Sequence, residues 1–545
     1  MTHFERDVSL ANLTETHYDV VVVGAGMTGA GVALDAASRG LRVALVDAGD
    51  IASGTSSKSS KMVHGGLRYL QQKEFRLVYE NLRERQRLLE NAPFLVRPLP
   101  FLIPLFGKDG TASKALAKGY ATALRIYDLT GGWRIGTRYR KVTRDQALEH
   151  LPTLHTEKLV AGFLYMDARG DDARVALALS RTAALDFSAD VANYVRVTGF
   201  EYGAIGRVEA VICRDELSGA TLRVRTRAVI NASGVWADSI FNLSEHETSH
   251  QITPAKGIHV TVRRDRLPAD VAAVLNVPGD RRSIFVVPFE EAPFTFIGTT
   301  DTAYDGSLDQ PECSPSDVTY LLDAVNASTS SDLTTEDVTG LWAGLRPLLA
   351  PQHGSKVSSR TADLSRRHRV TDTHDGVIHV TGGKWTTYRQ MAEDGVDALK
   401  PYLSGLPPTK TKNLRLHGTS SWRPENDIET HLYRRFGADA QEVLHLAAGD
   451  PSLGTPIIGG LPFIGAEFLY SARNEMATSL IDLLTRRTRA HLHDARATLL
   501  AAPEIARLVA PQFGWNDEEI NRQVRTYADL VESEFAAAGI TVGHP

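Results

Sequence analysis

From Tyr18 the chain reads YDVVVVGAGMTGAGVALDAASRGLRVALVDAGD. The uninterrupted β-branched run Val20 to Val23 predicts a strand buried on both faces. Met27 to Ser38 has helical spacing, and Arg39-Gly40 ends that run. Leu41 to Val46 predicts a second buried strand, stopping at Asp47. Further on the pattern changes. Residues 193–230 alternate apolar and polar in VRVTGFEY, RVEAVICRD and ATLRVRTRAVI, with turns at YGAIG and ELSGA, which predicts a hairpin or meander. Ala228 to Ala237 (AVINASGVWA) reads as a strand ending in a small-residue turn. GIHVTV, SIFVVPF and FTFIGTT predict strands of another sheet over 250–300. Val377 to Val380 reads as a strand, followed by TGGKWTT and the helical YRQMAEDGVDALK. Residues 314–328 and 391–403 predict helices, Gly405 to Lys412 a linker, and 470–489 one helix whose packed face carries Met476, Leu480, Leu483 and Leu484.

The chain has 545 residues, too many for one simple core. A formal net charge of −5 argues against nucleic acid as a partner. Two cysteines, Cys213 and Cys313, exclude a disulfide framework and fit a reducing compartment, and no Cys/His cluster has zinc spacing. The N-terminus MTHFERDVSL lacks an apolar core for a secretory signal. The most apolar stretch, Val20 to Ala37, is broken by glycines and short of a membrane span. The expected location is the cytoplasm, peripheral to the inner face of the cell membrane.

The first strand runs into Gly24-x-Gly26-x-x-Gly29. Gly24 permits a tight turn, Gly26 lets backbone approach a pyrophosphate, and Gly29 lets helix pack on strand, with the helix N-terminus facing the anion. Asp47 stands where an acid accepts from a ribose hydroxyl. The unit continues directly into ASGTSSKSSKMVHGGLRYL, whose small hydroxyl residues and glycines suit a flavin's path better than a separate NAD-type catalytic domain. TGGKWTT supplies a glycine turn opening a helix, a second place for an anionic edge. One nucleotide domain is therefore expected from three separated segments.

The order GAGMTGAG, TSSKSSKMVHGGLRYL, INASGVWAD, GTTD, GLRPLL and TGGKWTTYR closely resembles the FAD-dependent sn-glycerol-3-phosphate dehydrogenases over roughly residues 18–400, and the segment from about 410 resembles that family's helical C-terminal cap. HGGLRYL paired with GGKxTTYR is the specific part. The one mild departure is Asp47, where many relatives have glutamate. The resemblance implies an α/β fold: a Rossmann-like FAD-binding domain of D-amino-acid-oxidase type, a mixed-sheet substrate domain and a helical C-terminal cap. The expected segments are 18–95, 156–245 and 356–404 for FAD, 96–155 as a substrate-domain or membrane-surface insertion, 246–355 for substrate, and 413–545 for the cap. It further implies oxidation of glycerol 3-phosphate to dihydroxyacetone phosphate, with electrons passing from FAD to a membrane quinone. The alternative is an oxidase that hands them to O2 and makes H2O2. The expected partners are glycerol 3-phosphate, a membrane quinone, an anionic membrane surface and a second copy in a homodimer, with no metal.

Residues follow from the chemistry. The cofactor candidates are Gly24, Gly26, Met27, Thr28, Gly29 and Asp47 in the first unit; Thr55, Ser56, Ser59, Ser60, Lys61, His64, Gly65 and Gly66 in the stretch after it; Ala232, Ser233, Gly234 and Trp236; and Gly382, Gly383, Lys384, Thr386 and Thr387. A dianionic phosphate calls for fixed cations. Arg346, set in the apolar GLWAGLRPLLA, is the first choice because its planar fork matches phosphate oxygens. Arg360 is the second. Lys384 opposes the dipole of the helix it starts, a mismatch an anionic ligand relieves. Arg68 and Tyr69 can reach substrate oxygens, and Thr299, Thr300 and Asp301 can line the same cavity. The base is His64 or His259, between which the sequence does not choose. For membrane contact the candidate region is Phe101 to Lys141, in which Leu116, Tyr120, Leu124 and Tyr127 share a helical face and Lys114, Lys118 and Arg125 lie around the wheel, followed by Arg134, Arg138, Arg140 and Lys141.

Overall fold

The computed structural model describes residues 4–67, 69, 74–107, 114–244, 252–280, 282–350 and 367–542. Arg68 and Arg360 lie outside them. A six-stranded sheet organises the nucleotide half. Its order is His368–Asp372, Val377–Gly382, Val229–Asn231, Val20–Val23, Val43–Val46, Asp190–Ala192; all neighbours are parallel except the first pair. Val20 to Val23 and Val43 to Val46 are buried throughout, as continuous apolar runs require when both faces are covered, here by helices on one face and by antiparallel strands on the other. Met27–Ser38, Asp172–Phe187 and Tyr388–Asp397 pack together against this sheet. The sheet thus takes strands from stretches more than 300 residues apart, because a parallel pair needs a crossover and not sequence adjacency.

The alternating 193–230 region forms the antiparallel meander Val195–Tyr202, Val208–Asp215, Thr221–Thr226, to which His17–Tyr18 adds in parallel. Most of the other strands form a larger mixed sheet. In it Ile252–Arg263 lies between Phe294–Gly298 and Val338–Leu349, and Val96–Phe106 pairs along its length with Leu159–Gly170. Leu159–Gly170 therefore belongs to this sheet and not to the second FAD segment in which the sequence reading placed it.

Two expectations are corrected here. Phe101 to Leu105, the start of the candidate membrane region, is a buried strand. In the helix Lys114–Leu129, Leu124 and Tyr127 are fully buried in the core of the larger sheet and Tyr120 packs against it, so this apolar face is satisfied by protein. The side chains of Lys114 and Leu116 lie outside those described. The expected helix over 470–489 is also interrupted. It runs Gly465–Asn474, breaks at Met476 in the left-handed region, and resumes as a wide π-type turn at Asp482–Arg487. Tertiary ion pairs account for the break. Arg487 donates Nη1 and Nη2 to the two carboxylate oxygens of Asp50, at 2.7 and 2.8 Å, and two further bonds to the carbonyl of Glu475. Arg486 adds 2.6 Å to Asp50. Burial would raise the Asp50 carboxyl, but these two guanidinium groups hold it below its usual range.

Candidate functional site

The turn after the first strand is built for close approach. Gly24 sits at φ +102°, and a Cβ there would stand 2.8 Å from the carbonyl oxygen of Ala232. A Cβ on Gly29 would overlap the carbonyl oxygen of Gly24. These two positions must be glycine for the 24–29 turn to nest against Ala232 and Ser233. Gly26 precedes the helix Met27–Ser38, its N-terminus carrying no side-chain cap; the amide of Met27 donates to Ser56 Oγ at 2.8 Å. Asp47 ends the second strand. Its oxygens accept from the amides of Ala25 and Gly49 at 2.6 and 2.9 Å, and burial pushes its carboxyl up to about 6. Each oxygen retains a lone pair for a hydroxyl donor. Thr28 lies half-buried in the first turn of that helix. Gly234 and Trp236 follow in the adjoining turn, and the Trp236 ring covers Gly54. This donor set fits a dinucleotide: uncapped helix N–H groups for pyrophosphate, a carboxylate for ribose, and backbone that no Cβ obstructs.

The 55–69 stretch then ties the two halves together. Thr55 Oγ1 donates to the carbonyl of Leu345 at 2.6 Å. Ser59 donates through both N and Oγ to Asp172. Ser60 Oγ lies 2.7 Å from His259 Nε2. Lys61 is buried beside Asp172. Its ammonium bonds Asp172 at 3.0 Å, where Arg489 of the C-terminal region also binds at 3.0 Å, and burial with the neighbouring Arg489 charge pulls it down to about 8.

Two groups of candidate catalytic residues hang on this stretch. The first joins His64, Gly66, Tyr69 and Lys384. Lys384 Nζ lies 3.9 Å from the Tyr69 ring centroid, a cation–π contact, and a Cβ on Gly66 would stand 3.5 Å from the same nitrogen. Lys384 is the residue before the turn Trp385–Thr387, whose Thr386 and Thr387 are buried. Gly382 and Gly383 hold left-handed conformations ahead of it. Burial, helped by the Lys384 and Arg85 charges, lowers His64 to about 3. The second group joins His259, Arg346, Thr299, Thr300 and Asp301. The His259 ring is only 2% exposed and stacks on Trp342 at 4.7 Å and 9°; burial, with Lys61 and Arg346 nearby, holds it well below its ordinary value. Its Nδ1 is buried without a hydrogen-bond partner among the described residues. Arg346 donates Nη2 to Thr299 Oγ1 and the Thr300 carbonyl, at 3.1 and 3.0 Å, and Nη1 to Asp301 Oδ1 and the Lys256 carbonyl, both at 3.3 Å. Thr300 is buried, and its hydroxyl accepts from the Ile258 amide.

Several residues that sequence reasoning did not single out hold this arrangement. Trp342 and Asp50 lay inside quoted motifs without a signal of their own, and Asp172 lay outside every motif. Asn81, Arg85 and Asp167 carry no motif, and only their meeting with Tyr127 around Gly65 identifies them; Tyr127 was singled out for a membrane-facing helix and not for this contact.

Comparison with known proteins adds to this geometry. Residues 19–389 match the family model of FAD dependent oxidoreductases, and residues 381–520 match that of the C-terminal domain of alpha-glycerophosphate oxidase. The chain is 40% identical over 547 residues to glycerol-3-phosphate dehydrogenase 2 of Mycobacterium tuberculosis, covering 97% of this chain and 91% of that one. It is 34% identical to the mitochondrial glycerol-3-phosphate dehydrogenase of Homo sapiens, covering 96% of this chain and 74% of that one. Among solved structures, glycerol-3-phosphate dehydrogenase from Bacillus halodurans, complexed with FAD, superposes with a TM-score of 0.77 at 29% identity, covering 99% of this chain and 98% of that one.

Proposed function

Starting from the fact that this chain belongs to the FAD-dependent glycerol-3-phosphate dehydrogenases, within the FAD dependent oxidoreductase family, we propose that it oxidises sn-glycerol 3-phosphate to dihydroxyacetone phosphate and delivers the electrons to a membrane quinone. The observation that carries the reading is the Tyr69–Lys384 contact of 3.9 Å, which brings the HGGLRYL and TGGKWTT motifs into one site. FAD is the cofactor, and it supplies a two-electron acceptor at N5 of its ring. The protein's share is binding, orientation and proton handling. Gly24, Gly26 and Gly29, the uncapped helix start and Asp47 hold the dinucleotide end; Ser56, the 64–66 backbone and the 382–387 turn hold the rest. Arg346 anchors the substrate phosphate, with Lys384 as a second cation, and Arg68 and Arg360 are assigned to the same task. A neutral imidazole takes the hydroxyl proton as the carbinol C–H bond breaks. Both His64 and His259 are held neutral at pH 7, so both stand in the accepting state. Replacing the true base with glutamine is expected to slow flavin reduction by about a hundredfold, whereas replacing the other leaves a much smaller loss. Anaerobic stopped-flow on His64→Gln and His259→Gln separates them.

The deciding experiment mixes purified protein anaerobically with glycerol 3-phosphate. Bleaching of the flavin bands within seconds supports the substrate; a stable oxidised spectrum removes it and leaves the fold. A quinone analogue or O2 is then admitted. Rapid reoxidation by O2 with H2O2 formed would make the protein an oxidase, the reading favoured by the match of 381–520 to a glycerophosphate oxidase domain. The dehydrogenase reading is preferred because relatives at 34–40% identity over nearly the whole chain carry that name.

Delivery to a membrane quinone needs contact with the bilayer surface. No helix among the described residues is long and apolar enough to cross a membrane. The surface that supports peripheral contact is the outer side of the 114–141 region. Leu129 is 81% and Trp133 57% exposed, Arg134 lies over the Tyr79 and Trp133 rings, and Lys118, Arg125, Arg138, Arg140 and Lys141 flank them, all five exposed. Exposed aromatic and basic groups together suit an anionic headgroup layer. Lys118→Glu with Arg125→Glu is expected to weaken sedimentation with phosphatidylglycerol vesicles by at least about tenfold, at roughly 1 kcal/mol per surface charge. Unchanged binding would clear this face of a membrane role.

A further inference from the structure

The Gly65 backbone is clamped on both sides of its Cα by residues with no part in the proposed chemistry. Its N–H donates to Tyr127 Oη at 2.8 Å, and its carbonyl accepts from Asn81 Nδ2 at 2.9 Å. Tyr127 in turn donates to the carboxylate of Asp167, lying 2.6 and 2.8 Å from its two oxygens. Asp167 is fixed by Arg85 at 2.6 Å, and every member of this set is buried. Burial raises Asp167 and pushes the Tyr127 phenol well above its ordinary value, so the phenol keeps its proton and its donor role is fixed. The two clamping side chains come from different helices, Phe75–Asn91 and Lys114–Leu129. A Cβ on Gly65 would press on the Tyr127 hydroxyl and on Leu82, so the backbone lies directly against its clamp.

Gly65 stands between His64 and Gly66, and Gly66 packs under the Tyr69 ring and beside Lys384. The Gly65 N–H lies in the His64–Gly65 peptide plane and its carbonyl in the Gly65–Gly66 plane, and the soft torsions between the two planes are the φ and ψ of Gly65. Fixing both polar groups therefore restrains those torsions and sets the direction in which His64 leaves on one side and the Gly66–Tyr69 turn leaves on the other. A stretch of glycines has little other means of holding such an aim, since glycine restricts its own backbone least. We propose that Tyr127 and Asn81, backed by Asp167 and Arg85, are positioning residues that hold the Gly65 peptide and thereby aim His64 and the Tyr69–Lys384 pair at the substrate. The inference rests on the reading that this stretch faces substrate and flavin.

The test uses the full-length, FAD-loaded protein with Tyr127→Phe, which removes one hydroxyl and keeps the ring, and with Asn81→Ala. Two readouts are taken. Hydrogen exchange in the 62–67 segment is expected to speed up by roughly tenfold or more, as the loss of one buried hydrogen bond implies. Anaerobic flavin reduction by glycerol 3-phosphate is expected to slow by roughly ten- to a hundredfold, the size of a small misplacement of reacting groups. The flavin should remain bound, and any rise in KM for glycerol 3-phosphate should be smaller than the fall in the reduction rate, because both side chains act through the Gly65 backbone. A lower melting temperature with wild-type exchange and wild-type reduction rate overturns the proposal, and so does a loss confined to KM. If Tyr127→Phe fails to fold, Asn81→Ala decides by the same two readouts. If wild-type flavin is not reduced by glycerol 3-phosphate at all, the substrate reading fails, and the exchange measurement still decides whether this clamp holds the Gly65 peptide.

Discussion

Replacing Arg346 with alanine is expected to lower kcat/KM for glycerol 3-phosphate by about a hundred- to a thousandfold, mostly through KM, while FAD stays bound. The guanidinium is already oriented before any substrate arrives: Thr299, Thr300, Asp301 and Lys256 each take a hydrogen bond from it. Such preorganisation leaves less rotamer entropy to lose when a phosphate binds, and a planar fork matches phosphate oxygens as a point charge does not. Arg346→Lys should therefore recover charge but only part of the affinity. The side chain at this position also braces the 299–301 turn, so a fall in kcat of a few-fold alongside the KM effect is consistent with the structure. Steady-state kinetics with a visible spectrum of each variant checks this. An Arg346→Ala enzyme with wild-type KM would end its assignment as phosphate anchor.

Arg487→Met is expected to cost about 3 kcal/mol of stability, because it strips a bidentate partner from a buried carboxylate. Asp50 keeps Arg486 and Asn193, which limits the loss. The variant also predicts a change in acid tolerance. The Asp50 carboxyl lies below its ordinary value in the folded protein, so its contribution is present above the unfolded value near 4 and is lost as pH falls through the folded value. Without Arg487 the folded value rises toward the unfolded one, the contribution shrinks, and less of it remains to be lost as pH falls below about 4. Denaturant midpoints of the wild-type protein and the variant at pH 7 and at about pH 3 measure both effects. Because Asp50 follows Asp47, the proposed ribose acceptor, by three residues, the variant should also bind FAD less tightly. Equal midpoints for the wild-type protein and Arg487→Met at pH 7 would mean the ion pair is energetically idle.

The dinucleotide unit could be read directly. Val20 to Val23, Gly24, Gly26, Gly29, the Met27–Ser38 helix and Asp47 lie within thirty residues, and each reports a local requirement: burial on two faces, a turn no Cβ allows, a helix start. The strands around 195–230 and 252–298 were equally legible, because alternation is a property of neighbours. Reading failed where a local pattern had two physical uses. The Leu124–Tyr127 face is amphipathic whether it meets lipid or protein, and the fold sends it inward, where Tyr127 reaches Gly65. The apolar spacing of 470–489 suits one helix, but Arg486 and Arg487 turn to Asp50, more than 430 residues away in sequence, and the helix yields.

By itself, then, the sequence determined the nucleotide-binding turn, the buried strands beside it and the residue types on offer for a phosphate and a proton, since all of these depend on backbone sterics and on periodicities within a few residues. Only the tertiary structure decided which of those residues meet. It set Lys384 on Tyr69, Ser60 on His259, Lys61 against Asp172, and Tyr127 and Asn81 on the N–H and the carbonyl of Gly65. The reason is that parallel strands and ion pairs between distant segments are indifferent to sequence separation. Their partners are chosen by what the assembled core leaves buried and in need of a hydrogen bond.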